Sequence, residues 1–376
     1  MSKVVLLECQ DYDSDIIKEK LLYAFRLLNI DLNKFQSFLL KPNLLMKKKP
    51  EEATTTHPAV VKAIGSILMD LKKDVVLADS PGGPYTQRRL EGVYTASGLK
   101  NVCDELGIKL NYDISSSVLR YNKGVMLKNI DLIKPFFNSQ ALISLAKLKT
   151  HRMAIYTGAV KNLFGLIPGG KKAEMHFKYQ EVDRFMDMLL DILEATRPIL
   201  GIIDGIVAME GEGPSAGNPK KLNVLIVSDD LLAADYIACK IIGLDIERVP
   251  LLRVAEDRGL LEVNNIEVIG DNIDHFIAKD FKIPDSSGIS FLENRIPQPI
   301  KDALNNLMTP KPVFNRNHCI GCKECFNACP AQAIEMKERK AYVDLSKCIK
   351  CYCCHELCPA KAITIKRSFL FEKILK

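Results

Sequence analysis

Tryptophan is absent from the 376 residues, a gap that excludes no fold class by itself. The lack of a long apolar run says more: no stretch approaches the roughly 20 apolar residues that cross a bilayer as a helix. The opening M-S-K-V-V-L-L-E-C meets an acidic residue inside its apolar run and offers no cleavage site, so neither export nor a disulfide framework is expected. Walker and dinucleotide fingerprints are missing as well. Gly158 to Gly170 fits neither spacing, which argues against a standard nucleotide site. No basic stripe with interleaved aromatics points to nucleic acid. What remains is a globular composition, 47% hydrophobic and 26% charged, and the expectation of a cytoplasmic chain with no membrane or nucleic-acid partner.

Cysteine is the opposite case. Nine of the twelve lie between Cys319 and Cys358, and eight of them spell C-x-x-C-x-x-C-x-x-x-C-P twice, with starts 29 residues apart. The similarity continues past the cysteines, where C-P-A-Q-A-I-E-M in one copy answers C-P-A-K-A-I-T-I in the other, so a duplicated half-domain is expected. Three thiolates at two-residue gaps let a short loop wrap three irons of a cubic cluster. The fourth lies too far along to close the same site and reaches the other cluster instead. The expected ligand sets are Cys319, Cys322, Cys325 and Cys358 for one 4Fe-4S cluster, and Cys348, Cys351, Cys354 and Cys329 for the second. Zinc would more commonly pair two C-x-x-C units across a longer spacer. Cys353, beside Cys354, breaks the pattern and reads as a bystander thiol, while Cys9, Cys103 and Cys239 sit in apolar contexts and read as core.

Over residues 309 to 368 the chain resembles the bacterial-type two-cluster ferredoxins, a resemblance that implies electron transfer to or from a redox partner protein. One departure is charge. Residues 309 to 376 hold thirteen Lys plus Arg against six Asp plus Glu, whereas the remainder holds 39 against 40. The excess either offsets the negative charge of the clusters or forms a basic docking face for an acidic partner.

Residues 1 to 300 are more than an electron carrier needs, and they read as strands alternating with helices. Strands are expected at Lys3 to Cys9, Phe38 to Leu45, Asp74 to Asp79, Ala141 to Ala146, Ile199 to Val207 and Asn223 to Val227. Helices are expected at Ser14 to Leu28, with a serine cap, and at His57 to Leu71, Tyr179 to Ala195 and Leu231 to Ile242. This pattern predicts a layered, mostly parallel α/β sheet domain, followed by a small α+β two-cluster ferredoxin-like domain at 309 to 368. An irregular, proline-bearing linker is expected from about Phe281 to Pro312.

Ligands of such sheets gather at the C-terminal ends of the strands. Lys41 and Asn43 follow the second strand and Ser80 the third; Lys147, Lys149 and His151 follow the fourth, and Asp204 to Pro214 surround the end of the fifth. Each has a plain explanation: S-P-G-G and G-E-G-P are turn chemistry, Lys171 and Lys172 read as solvated, His57 as a helix start and His176 as a surface residue. K-L-K-T-H-R is harder to dismiss, because its cations would repel one another unless an anion sits among them.

Six stretches resemble the domain-of-unknown-function family 362: K-P-N-L-L, T-H-P, D-S-P-G-G, K-L-K-T-H, T-G-A-V-K-N-L-F-G-L-I-P-G and D-G-I-V-A-M-E-G-E-G-P. They are spread over most of residues 1 to 270, and the resemblance implies no particular chemistry. The order His151, Lys161, Pro168-Gly169, His176 is similar to that of the nickel-pincer lactate racemases, which implies a cofactor tether at Lys161, a metal ligand at His176 and an acid or base at His151. The rest of that family's histidine and arginine set is not evident.

These readings lead to a ferredoxin-linked oxidoreductase. Its α/β domain would bind a small anionic substrate or cofactor through Lys41, Asn43, Ser80 and Lys149, with His151 and Lys161 as catalytic candidates. An additional organic cofactor or metal, flavin or nickel, is left open. The alternatives are an electron carrier or assembly protein without turnover and a nickel-pincer-like enzyme.

Overall fold

The computed structural model describes residues 1–284 and 309–366, so most of the expected linker lies outside the described residues. Strands β1 (Ser2–Glu8), β2 (Ser37–Pro42), β3 (Asp74–Leu77), β4 (Lys109–Leu110), β5 (Ser116–Arg120), β6 (Asn129–Ile133), β7 (Ala141–His151), β8 (Ile155–Thr157), β9 (Leu200–Glu210), β10 (Asn218–Ser228) and β11 (Ile266–Gly270) belong to the first part of the chain. Nine of them form one sheet in the order β11-β1-β10-β9-β7-β2-β3-β4, with β8 paired to β7; β5 and β6 make a separate hairpin. From β9 to β4 every pairing is parallel, and β10 runs antiparallel between β9 and β1.

Alternation along the strands builds two cores. Val4 and Leu6 of β1 and Leu39 of β2 face one layer of helices, while Val5, Leu7, Phe38 and Leu40 face the other. The first layer includes the helices Val182–Thr196 and Leu231–Ile241, and the second Ser14–Leu28 and Pro58–Asp70. The Ser14–Leu28 helix is capped by Asp13 and not, as expected, by a serine: the Asp13 carboxylate accepts from the N–H groups of Asp15 and Ile16. His57 does cap the Pro58–Asp70 helix, with Nδ1 accepting from Ala59 N–H. Cys9, Cys103 and Cys239 are buried, as their apolar contexts suggested.

Chain order reverses between β2 and β7. From β2 the chain steps outward to β3 and β4, and from β7 it steps the other way to β9, so a crevice opens at the C-terminal ends of β2 and β7. β7 runs five residues further than expected, to His151, and its pairing with β9 shifts between Lys147 and Lys149.

Asp191 closes a loop far from that crevice. Its carboxylate accepts from the N–H groups of Val125, Met126 and Leu127 at 2.9, 2.6 and 2.8 Å and from Arg258 Nη2 at 3.0 Å. Asp191→Ala would leave three amides without their acceptor and take from Arg258 one of its carboxylates, with Asp187 and Glu194 remaining. It is expected to lower stability by about 3 kcal/mol or more, about 1 for each amide left unsatisfied, read by anaerobic urea unfolding.

The C-terminal module repeats itself in space as in sequence. Short helices Glu324–Asn327 and Cys353–Glu356 occupy equivalent positions. Strands β12 (Lys311–Phe314) and β15 (Ile363–Lys366) pair antiparallel, as do β13 (Ile334–Lys337) and β14 (Lys340–Val343).

A cavity between the α/β domain and the cysteine module

The two cysteine loops come together. Cys319, Cys322, Cys325 and Cys358 surround a small cavity of about 20 Å³ whose wall is completed by Phe314, Met336 and Ile363. Cys348 has Cys351 and Cys329 as electrostatic neighbours, and Cys354 has Cys351, Cys348, Cys325 and Cys329. Backbone N–H groups of Ala333 and Ala362, at matching positions of the two copies, donate to Cys329 and Cys358 Sγ at 3.2 Å, and that of Lys350 to Cys348 Sγ at 3.4 Å. No three His, Cys, Asp or Glu side chains among the described residues converge on a single ion. Four sulfurs around a space, in an apolar shell with N–H groups aimed at sulfur, suit a cubic cluster.

A larger cavity, about 290 Å³, lies where the crevice of the sheet meets the second cysteine loop. Lys41, Asn43, Lys149, His151 and Lys161 line it from the α/β side, and Asn327, Ala328, Cys353, Glu356 and Leu357 from the module. Contacts among the described residues hold the seam, Arg152 Nη2 donating to the Ile365 carbonyl at 3.4 Å among them. Arg89 Nη1 meets Glu324 Oε2 at 2.8 Å, Ser215 Oγ donates to the Glu356 carbonyl at 2.6 Å, His151 Nε2 lies 3.0 Å from Glu356 Oε1, and Gly82 packs against Leu357. A Cβ on Gly82 would stand 2.6 Å from a Leu357 methyl, which is why the turn after β3 has no side chain there.

Several cations are compensated inside the protein. Lys41, fully buried, meets Asp79 at 2.9 Å and donates to Asn162 Oδ1 at 3.2 Å, while Asn162 Nδ2 donates to the Lys41 carbonyl and to Ser144 Oγ. Lys147 does not reach the cavity; it meets Asp204 at 2.8 Å and donates to Tyr12 Oη. Arg152 pairs with Glu212. The repulsion expected in K-L-K-T-H-R is therefore relieved at two positions without a ligand.

The rest faces the cavity. Among the described residues Lys149 hydrogen-bonds only to the Thr54 carbonyl, at 2.7 Å, and Lys172 only to that of Ser80, with the Phe164 ring centroid 5.8 Å from the Lys172 ammonium. Lys161 has neither a hydrogen bond nor an ion pair there, and it stands on a short helix held by Asp235, which accepts from Ala159 N–H at 2.6 Å and Val160 N–H at 3.1 Å. Burial, with Lys161 adding to it, pushes the Lys149 ammonium down to about 7; burial also brings Lys172 to about 7 and lowers Lys161. Burial and the Lys161 charge push His151 down to about 4. Burial works against the Glu356 carboxylate, but His151, Lys161 and His176 outweigh it and hold that group well below the usual carboxylate range.

His151 is thus a neutral imidazole. Its Nδ1 accepts from Met153 and Ala154 N–H at 3.1 and 3.2 Å, which places the proton on Nε2. That N–H is near Glu356 Oε1 but not aligned on it, and neither atom has a hydrogen-bonding partner among the described residues. Both are buried at the cavity wall.

Of the predicted α/β residues, Lys41, Asn43, Lys149, His151 and Lys161 share the cavity, but Ser80 stands behind it and offers its carbonyl to Lys172. Lys172 and His176, read as solvated and superficial, both line the wall; His176 stacks on Phe185 with ring centroids 4.7 Å apart. Cys353, read as a bystander, lines it too, within hydrogen-bonding range of the Cys351 sulfur. The duplication held a signal for the residues missed. Glu324 and Asn327 of the first copy become Cys353 and Glu356 in the second; Cys353 and Glu356 face the cavity, as does Asn327, so what the second copy adds there is a thiol and a charge.

No helix among the described residues is long and apolar enough to cross a membrane. A thylakoid-associated protein of Synechocystis sp. is 32% identical over 269 residues, spanning 69% of this chain and 80% of that protein. A crystal structure of a protein from Thermotoga maritima aligns at 13% identity over 62% of this chain and 60% of that one, under two thirds of its length, with a TM-score of 0.37. Residues 318–362 match the 4Fe-4S dicluster domain, so the module carries two 4Fe-4S clusters and the electron-transfer role that such a domain implies. Residues 38–240 match the domain of unknown function DUF362, and the chain belongs to that family, with a 4Fe-4S dicluster domain joined C-terminal to it.

Proposed function

We propose that the protein is an iron-sulfur oxidoreductase whose reaction takes place in the cavity between its two parts, on a small anionic molecule. The observation that carries this reading is Cys353, which is at once part of the cavity wall and in contact with Cys351, a ligand of the second cluster. Each cluster supplies or accepts one electron when bound.

This chain's own side chains account for the rest. With Lys41 cancelled by Asp79, the ammonium groups of Lys149, Lys161 and Lys172 face the single carboxylate of Glu356, so the empty cavity favours an anion. Lys161 is the contact with the least competition from protein partners. His151 holds a proton on Nε2 at the wall and can pass it to, or recover it from, a ligand atom as electrons move. Burial on both sides keeps water from competing.

Anaerobic purification, followed by elemental analysis and mass spectrometry of what denaturation releases, tests the proposal. About eight irons and a bound carboxylate or phosphate compound are expected. That compound should re-oxidise or reduce the clusters when returned to the protein, seen as a change in their visible absorbance. Failure of every released compound to change that absorbance would leave an electron carrier or assembly factor as the better reading.

A further inference from the structure

The two cysteine loops are copies, so each is a control for the other. Positions 29 residues apart have opposite surroundings. Tyr352, His355 and Glu356 of the second copy are 8%, 2% and 8% exposed: Tyr352 Oη donates to the Pro310 carbonyl, His355 Nδ1 lies 2.7 Å from the Ile363 carbonyl, and Glu356 meets Ser215 and His151 of the α/β domain. In the first copy, Lys323 and Asn327 at the corresponding positions are exposed, as is the ligand Cys322, while Phe326 is 47% and Ile320 64% exposed. A loop that must keep water from its cluster has no reason of its own to present two large apolar side chains to solvent.

We infer that this open loop, Asn315 to Phe326, is the docking face for a small acidic iron-sulfur electron carrier. Charge selects the occupant. Arg316, Lys323 and Arg339 are exposed around Ile320, with Arg316 held over the Tyr342 ring at 4.4 Å and the Arg339 backbone packed close against Gly321. Of the nearby carboxylates, Glu324 is taken by Arg89 at 2.8 Å and Glu335 by Lys337 at 3.0 Å, which leaves Glu338 exposed opposite three cations. An apolar centre with a cationic rim beside an exposed ligand fits a partner whose own cluster lies within a ring of carboxylates. The α/β domain packs on the second copy and, at Glu324, Asn327 and Ala328, on one side of the first, which leaves Ile320, Lys323 and Phe326 open. This assignment does not depend on what the cavity binds.

The test uses the full-length, cluster-loaded protein under anaerobic conditions and, as probe, an oxidised bacterial two-cluster ferredoxin of net negative charge, titrated by calorimetry. Binding is expected to weaken about tenfold between low and physiological salt. The double reversal Arg316→Glu/Lys323→Glu should weaken it about tenfold or more at low salt. Lys347→Glu, an exposed charge beside the second loop, should change it less than about twofold. If the double variant loads less iron, Arg339→Glu, which lies off the cysteine loop, makes the same measurement. Wild-type binding that is absent or indifferent to salt would overturn the assignment, as would a loss in Lys347→Glu equal to that at the open loop.

Discussion

Serine in place of Cys351 is expected to cut the iron content from about eight per chain toward four, and to release whatever the large cavity holds. Two links of the structure combine here. Cys351 is expected to ligate the second cluster, and the residues that follow it on the same loop, Cys353, Glu356 and Leu357, are most of the module's share of the cavity wall. A loop without its cluster loses the thiolate anchors that fix its path, so the wall and the seam with Ser215 and Gly82 go with it. The reading is iron per chain together with the amount of co-purifying small molecule. The counterpart, Cys322→Ser in the first loop, should also lose iron but release less of the cavity's ligand, since that loop gives the wall Asn327 and Ala328, neither of which carries a hydrogen bond across the seam among the described residues as Glu356 does. Equal ligand loss in the two variants would show that the cavity does not depend on the second loop in particular.

Anion binding in the cavity should weaken steeply as pH rises above about 7. Lys149 and Lys172 have both been brought to about 7, mainly by burial, so below that pH the empty cavity presents them as ammonium groups and above it as neutral amines. An anion that restores the charge must then bind with proton uptake, and affinity falls by up to about tenfold per pH unit for each lysine so linked. The same depression has an opposite signature in stability. Between about 7 and the ordinary lysine range the unfolded chain binds more protons than the folded one, so the empty protein gains stability as pH rises through that window. Lys149→Met should flatten both dependences, and Lys161→Met should weaken anion binding at pH 6 by about 10–100-fold, the worth of a hydrogen bond to a charged group of roughly 1.5–3 kcal/mol. Calorimetry with the released compound across pH 6 to 9 reads the first effect, and anaerobic urea unfolding the second. A binding constant flat across that range would remove the lysines from the site.

Much of the architecture was legible because it is periodic. Val4 to Leu7 alternate between two cores, and a run of that kind admits few other folds once helices separate the strands. The cysteine loops were legible for a different reason: ligand spacing is fixed by the size of a cluster, a local constraint that survives any tertiary arrangement. Strand ends were harder. K-L-K-T-H looked like a loop because lysines are rarely buried, yet Lys147 and Lys149 sit inside β7, where Asp204 pairs with the first and the Thr54 carbonyl accepts a hydrogen bond from the second, both partners distant in sequence.

By itself, then, the sequence determined the α/β domain, the duplicated cysteine module and five of the side chains that meet at the crevice, since each follows from period, spacing or strand order. Only the tertiary structure decided that the module closes this crevice mainly with its second copy, Cys353, Glu356 and Leu357 standing beside Asn327 and Ala328 of the first. The contacts responsible, Ser215 with Glu356, Gly82 with Leu357 and His151 beside Glu356, join residues more than a hundred positions apart, and no local pattern records them. The same distance explains Cys353 and Lys172. Their types are ordinary for a spare thiol and a surface lysine, and only the walls that fold around them make them part of a site.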